Sequence, residues 1–218
     1  MTVEVPTGNN LPAFLTQDNG NKIAYHYHEG KNPGVIFLHG LMSDMEGSKA
    51  VFVEDFCKKR GQSFIRFDCF GHGLSSGEFS EGSLSQWSKD CVKIIDEVAK
   101  GPQILVGSSM GGWNMLLSAL KRPERVSALI GVAPAPDFTE DLIMSDLTDA
   151  QLQEIQDKGV VAIPCEYGDQ PYMISKKLLD DGRENLLLRR EIELDVPVRL
   201  IHGMQDQDVP WQMSLRLC

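Results

Sequence analysis

Ile104-Leu105-Val106-Gly107-Ser108-Ser109-Met110-Gly111 is the stretch of this 218-residue chain from which the rest of the fold can be laid out. Its three leading apolar residues read as a short strand covered on both faces, and residues 110–122 read as a helix. Between them, Gly107 to Gly111 fits G-x-S-x-G, in which a serine sits on a sharp strand-to-helix turn. Such a turn strains the backbone of Ser109. It requires glycine two residues before and two after, because a Cβ at either place would strike the neighbouring strand or helix. The turn also aims the next helix at Ser109, so the N–H of Met110 and the helix dipole are placed to stabilise an oxyanion. Ser108 is expected to point away. The rival reading is a Ser/Gly-rich turn without chemistry, and the strand-helix context weighs against it.

Working outward, residues 35–38, 64–67, 128–130 and 198–201 are further short apolar runs of the same kind. Residues 49–60 and 84–100 are helix-like. The second of these sets Trp87, Cys91, Ile94, Ile95 and Val98 on one face, with Ser83 or Ser85 as its cap. Residues 22–28 alternate, as in an outer antiparallel strand. Strand and helix in alternation predict an α/β fold with a mostly parallel, doubly wound sheet. The alternation fails over 138–195, where helix-favouring stretches such as 147–158 and 172–181 follow one another without a convincing strand. The expected organisation is therefore residues 1–137 and 196–218 as two parts of one core, with 138–195 as a helical cap. A lid over a substrate pocket and a solvated decoration are the two readings of that cap.

Composition narrows the function classes. The chain is 42% apolar and 24% charged, with no apolar run near the roughly 20 residues that span a bilayer. It is read as soluble, without stable membrane insertion. A net charge of −10 repels phosphate backbones and argues against nucleic acid as a partner. Cys57, Cys69, Cys91, Cys165 and Cys218 show no metal-ligand spacing and suit reduced thiols in an intracellular compartment. Residues 1–10 carry no signal or transit character, so the expected location is cytoplasmic. No metal and no cofactor is implied.

The remaining candidates lie after other strands. His39-Gly40-Leu41 follows the run 35–38 and offers the N–H of Leu41 as a second oxyanion donor, with His39 as a structural residue of that loop. Asp68-Cys69-Phe70-Gly71-His72-Gly73-Leu74-Ser75 is read as scaffold, and His72 as an exposed, solvated histidine. After the last strand comes His202-Gly203-Met204-Gln205-Asp206-Gln207-Asp208-Val209-Pro210. There Asp206 is the candidate acid that would orient a histidine base. Asp208 and Asp137 are the alternatives, and His202 is read as completing the strand end. The base is expected one helix and one strand later, roughly 20–30 residues beyond Asp206. The chain ends at Cys218, so the last strand, the last helix and the base are expected to lie outside it.

GVIFLHG, RFDCFGHGLSSG, ILVGSSMGGW and LIHGMQDQDVPW, in that order, resemble the successive hallmarks of α/β-hydrolases. GPQILVGSSMGGW, RPERVSALIGVAPAPD and RLIHGMQDQDVPW resemble most the abhydrolases typified by a mitochondrial palmitoyl-protein thioesterase and acyl-glucuronide esterase and its bacterial relatives. The resemblance covers residues 33–137 and 196–211. It implies an α/β-hydrolase fold, a serine hydrolase acting on small acyl esters or acyl-protein thioesters, Ser109 as nucleophile and Asp206 as acid, and a mitochondrial location as the alternative. Acyl transfer to another acceptor and non-catalytic acyl binding are the competing functions.

Overall fold

A computed structural model describes residues 11–164 and 171–218. The readings of residues 1–10 and of Cys165 fall outside the described residues. Among the described residues, nine strands form two sheets. The large one takes β1 (Ala13–Thr16), β2 (Lys22–His28), β3 (Lys31–Leu38), β4 (Gln62–Phe67), β5 (Gln103–Ser108), β6 (Val126–Val132) and β9 (Val198–Ile201), in the spatial order β1-β2-β4-β3-β5-β6-β9. The five strands from β4 to β9 run parallel, while β1 and β2 are antiparallel at one end. The expected outer strand 22–28 is thus second from the edge, with β1 outside it.

The helices are α1 (Ser48–Lys59), α2 (Leu84–Glu97), α3 (Met110–Lys121), α4 (Asp149–Lys158), α5 (Lys176–Glu184) and α6 (Gln212–Leu215). Alternation along β3 explains how they wrap the sheet: Val35 and Phe37 face Ala50 and Cys57 of α1 in one apolar cluster. Ile36 and Leu38 face the other way, into the larger cluster with Trp87, Ile94 and Ile95 of α2 and Trp113 of α3. Burying each such large side chain contributes about 1.5–3 kcal/mol, so both faces must stay covered. Ser83 caps α2 by accepting the N–H of Gln86. The carboxyl ends of the central strands lie level, because Leu38 pairs with Gly107, Ser108 with Val132, and Val132 with Ile201. The loops that follow these four strands therefore meet at one edge.

Segment 138–195 leaves the sheet, and here the sequence reading needs correction. A π-helical turn, Thr139–Met144, comes first. Then α4 starts on a Thr148–Gln151 capping box and stops at Gly159, whose φ of 75° suits a left-handed cap. Strands β7 (Val160–Ile163) and β8 (Tyr172–Ser175) follow, paired antiparallel, where no strand is expected from the sequence. The first four residues of 172–181 are thus strand. Ser175 ends that strand and caps α5 through the N–H of Leu178. The signal was present in the β-branched and aromatic residues Val160, Val161, Ile163, Tyr172 and Ile174. It is short, and the acidic helical stretches beside it mask it.

Candidate active site

Ser109 sits between β5 and α3 with φ 53° and ψ −121°, a conformation that strains any residue with a Cβ. Three backbone bonds hold it: its N–H donates to Val132 O (3.1 Å), and its carbonyl accepts from Gly112 (2.8 Å) and Ala135 (3.1 Å). Glycine is required on both sides for a steric reason. A Cβ on Gly107 would lie 2.3 Å from Gly111 O, and one on Gly111 would lie 2.1 Å from Leu38 O. The loop after β3 passes close by, since a Cβ on Gly40 would stand 3.5 Å from the Ser109 Cβ. Among the described residues, the N–H groups of Leu41 and Met110 donate to no protein acceptor. Both are thus available to an oxygen placed at Ser109.

Two cavities meet there. A cleft of about 610 Å³ runs along the loop 40–47 and brings Ser109, Leu41, Asp206 and Asp208 together. A second, of about 330 Å³, lies between α3 and segment 138–195, and its walls include Ser109, Leu41, Met110, Phe138, Leu142 and Ile143. The apolar run Leu142-Ile143 in an acidic stretch is the sequence sign of that second cavity.

Asp206 Oδ1 accepts the N–H groups of Asp208 (3.1 Å) and Val209 (2.9 Å). Among the described residues no hydrogen bond reaches its Oδ2. Asp137, the alternative acid, is in a different position. It is fully buried, and its carboxylate accepts the N–H groups of Leu187 and Leu188, both at 2.8 Å, with Arg189 alongside. Burial pushes its pKa up, against the pull of those N–H groups and the guanidinium. Asp137 ties the chain at 187–188 to the sheet, with both of its oxygens engaged there.

The histidines are all accounted for by the scaffold or lie on β2. His39 Nδ1 meets Gly40 O at 2.8 Å and its Nε2 accepts the Cys69 N–H at 3.1 Å. Burial holds its pKa down. His72 corrects the expectation of a solvated side chain: it is 5% exposed, packed between His39, Phe79 and Trp87, and its Nε2 accepts the Met42 N–H. Burial, with His39 adding to it, drops its pKa to about 3, so it stays neutral and holds the loop beside Leu41. His202 bridges Ser214 Oγ (2.7 Å) and Val209 O (2.8 Å). His26 pairs with Glu46 from β2, which also carries His28.

A buried polar lattice ties α2 to the loop after β4, through partners far apart in sequence. Asp90, on α2, accepts the Phe70 N–H (2.8 Å) and the amides of Gln17 and Gln86. Trp87 Nε1 donates to Phe70 O at 2.9 Å. Asp68 accepts the N–H groups of Met45 and Leu74. Cys57, Cys69, Cys91 and Cys218 are unpaired thiols. Among the described residues no set of three or more His, Cys, Asp or Glu is arranged to hold a metal ion, and no helix is long and apolar enough to cross a membrane.

The family described as serine aminopeptidase S33 (Hydrolase_4) matches residues 31–206. The rat mitochondrial palmitoyl-protein thioesterase ABHD10 is 45% identical over 206 residues, which cover 94% of this chain and 69% of that protein. The solved mouse α/β hydrolase domain-containing protein 10 superposes with a TM-score of 0.86 at 44% identity, covering 94% of this chain and 82% of that one. A putative hydrolase from Agrobacterium vitis S4 gives 0.89 at 36% identity, with 94% and 83% covered. With these matches spanning the sheet, the serine turn and the edge where the loops meet, the chain belongs to the α/β-hydrolase family of enzymes.

Proposed function

We propose that this chain is a serine hydrolase of carboxylic esters or thioesters, acyl-protein thioesters among them, with residues 138–195 as a cap over its site. The observation that carries the reading is the strained Ser109 at the junction of two cavities, beside two backbone N–H groups without protein acceptors. Ser109 Oγ attacks the acyl carbonyl, and the N–H groups of Leu41 and Met110 hold the oxyanion. The leaving alcohol or thiol departs with a proton, and water then releases the acid from the acyl-enzyme. Asp206 Oδ2 is the place for the Nδ1–H of a histidine base. No described histidine reaches it, so the reading calls for a base from outside the described residues. The relatives named as mitochondrial thioesterases support both the thioester and a mitochondrial location.

The test is chemical rescue of covalent labelling. A fluorophosphonate should label Ser109 slowly, imidazole should accelerate labelling, Asp206→Ala should abolish the acceleration, and Ser109→Ala should abolish labelling. Labelling that ignores both Ser109 and imidazole sinks the reading. A second reading, non-catalytic acyl binding, is favoured by the full engagement of His39, His72 and His202 in the scaffold. It expects acyl ligands to raise the melting temperature with no labelling under any condition.

A further inference from the structure

The peptides on either side of Leu41 are each held by a buried histidine. Gly40 O, which shares a peptide with the Leu41 N–H, meets His39 Nδ1 at 2.8 Å and accepts the Ser43 N–H at 3.2 Å. That peptide is trans, so its C=O and N–H point opposite ways and the Leu41 N–H points away from His39. The next peptide is held from the other end, because the Met42 N–H donates to His72 Nε2 at 3.2 Å. Met42 has a φ of 51°, which a residue with a Cβ rarely adopts without support. An N–H can only donate, so Nε2 of His72 is the acceptor and the ring proton sits on Nδ1, which donates to Phe70 O at 3.1 Å. Phe70 is fixed in turn: Trp87 Nε1 donates to the same oxygen, and the Phe70 N–H donates to Asp90 Oδ2 at 2.8 Å. The rings of His39, Phe79 and Trp87 stand within 5.3 Å of the His72 ring and leave it no room to turn. Burial keeps that imidazole neutral, and only a neutral imidazole has a lone pair to offer.

We propose that His72 is a positioning residue for the reaction at Ser109: by accepting the Met42 N–H it holds Met42 in its left-handed conformation and keeps the Leu41 N–H aimed at the oxyanion. The inference rests on the reading of Ser109 as nucleophile. Without that acceptor Met42 relaxes to negative φ, the peptide between Leu41 and Met42 turns, and Leu41 moves with it. A donor stabilises an oxyanion only within hydrogen-bond distance of the place where charge develops, and removing one outright slows acyl transfer by about 10² to 10³. A displaced donor keeps part of its effect, so loss of the His72 acceptor should slow the bond-forming step about 10- to 100-fold. Docking of the reagent precedes the charge and should not change.

The experiment is saturation labelling of Ser109 by a fluorophosphonate in the 218-residue chain with imidazole present, which separates the docking constant from the rate of bond formation. His72→Phe keeps a ring among Phe79, Trp87 and His39 but accepts no hydrogen bond, whereas His72→Gln puts an amide oxygen where Nε2 stood. Bond formation is expected to slow about 10- to 100-fold in His72→Phe at an unchanged docking constant, and to return to within about threefold of the unaltered chain in His72→Gln. An unchanged rate in folded His72→Phe, docking weakened as much as the rate, or His72→Gln as slow as His72→Phe overturns the proposal. Where His72→Phe does not fold, nitrogen-15 NMR of the unaltered chain decides. His72 should show a protonated Nδ1 and a bare Nε2, and the Leu41 amide proton should move downfield when Ser109 is phosphonylated. A proton on Nε2, or a Leu41 amide that does not move, overturns the proposal as well. Absence of labelling in the unaltered chain removes the hydrolase reading and this inference with it, whereas labelling that ignores His72 removes this inference alone.

Discussion

Two turns at the same sheet edge each present one candidate catalytic residue, and they are built differently. The turn that carries Ser109 joins β5, buried along almost all its length, to α3, in which residues 110–119 are all buried. The turn that carries Asp206 follows β9, and Met204 within the turn is 68% exposed. Ser109 is located by backbone packed against backbone. Asp206 is located by its own side chain, whose Oδ1 closes the turn on Asp208 and Val209, and by His202 pinning Val209 and Ser214. Position is set by stereochemistry in the first case and by a few replaceable bonds in the second.

The largest expected effect strikes the first turn. Gly111→Val puts a branched side chain where even a Cβ would meet Leu38 O at 2.1 Å. The backbone of β3 cannot yield, so a loss of about 4 kcal/mol or more is expected in urea unfolding. A loss under about 1 kcal/mol would show that the turn has slack and break the contrast. Asp137 asks whether backbone anchoring extends to the cap. Asp137→Ala leaves the buried N–H groups of Leu187 and Leu188 without acceptors and should cost about 2–4 kcal/mol, with faster amide exchange at both. Asp137→Asn retains an acceptor and tolerates the φ of 58°, and should recover most of that loss.

The lattice around Asp90 should also make the stability of the fold depend on pH. Burial lifts the Asp90 pKa to about 6 from an ordinary 3.8. Its contribution to stability is therefore complete below the unfolded value and is lost as pH rises through about 6, an effect on the order of 2–3 kcal/mol. Asp90→Asn keeps an acceptor for the Phe70 N–H and removes the titration. Its stability difference from the unaltered chain should change between about pH 4 and pH 7 and stay flat above that range. A difference independent of pH would mean that Asp90 titrates like a solvated carboxylate.

What was legible in the sequence follows the same division. The turn at Ser109 could be read because only glycine fits at 107 and 111, and the strands could be read because burial on both faces leaves uninterrupted apolar runs at 35–38 and 104–106. The loop of Leu41 followed from the position of its strand. Segment 138–195 obeys no such rule. β7 and β8 are four residues each, and they form only because Val161 and Ile174 find cover in the core that the other elements make. Burial of His72 is not legible because a loop position says nothing about burial, and the rings of His39, Phe79 and Trp87 that enclose it are brought together only by the fold. The Asp90 lattice was hidden for the same reason, since Gln17 lies 73 residues from its partner.

Strain supplies a smaller effect of opposite sign. Ser109 holds φ 53° with a Cβ attached, so Ser109→Gly should relieve the strain and stabilise the fold by about 1 kcal/mol in spite of glycine's greater freedom when unfolded. Thermal unfolding would show it as a higher Tm together with loss of labelling. A lower Tm would mean that contacts of the serine side chain outweigh its backbone strain.

The smallest effect is expected where the comparison closes, at the glycine of the second turn. Gly203 lies outside the left-handed region, and a Cβ there would meet nothing nearer than the Asp206 Cβ at 4.0 Å. Gly203→Ala should change stability by no more than about 0.5 kcal/mol, with a slight gain possible because alanine restricts the unfolded chain. Imidazole-assisted labelling of Ser109 should be unaltered, since Oδ1 of Asp206 still closes on Asp208 and Val209. A loss comparable to that of Gly111→Val would mean that the acid turn, too, is fixed by backbone stereochemistry. The two halves of the site would then be equally rigid.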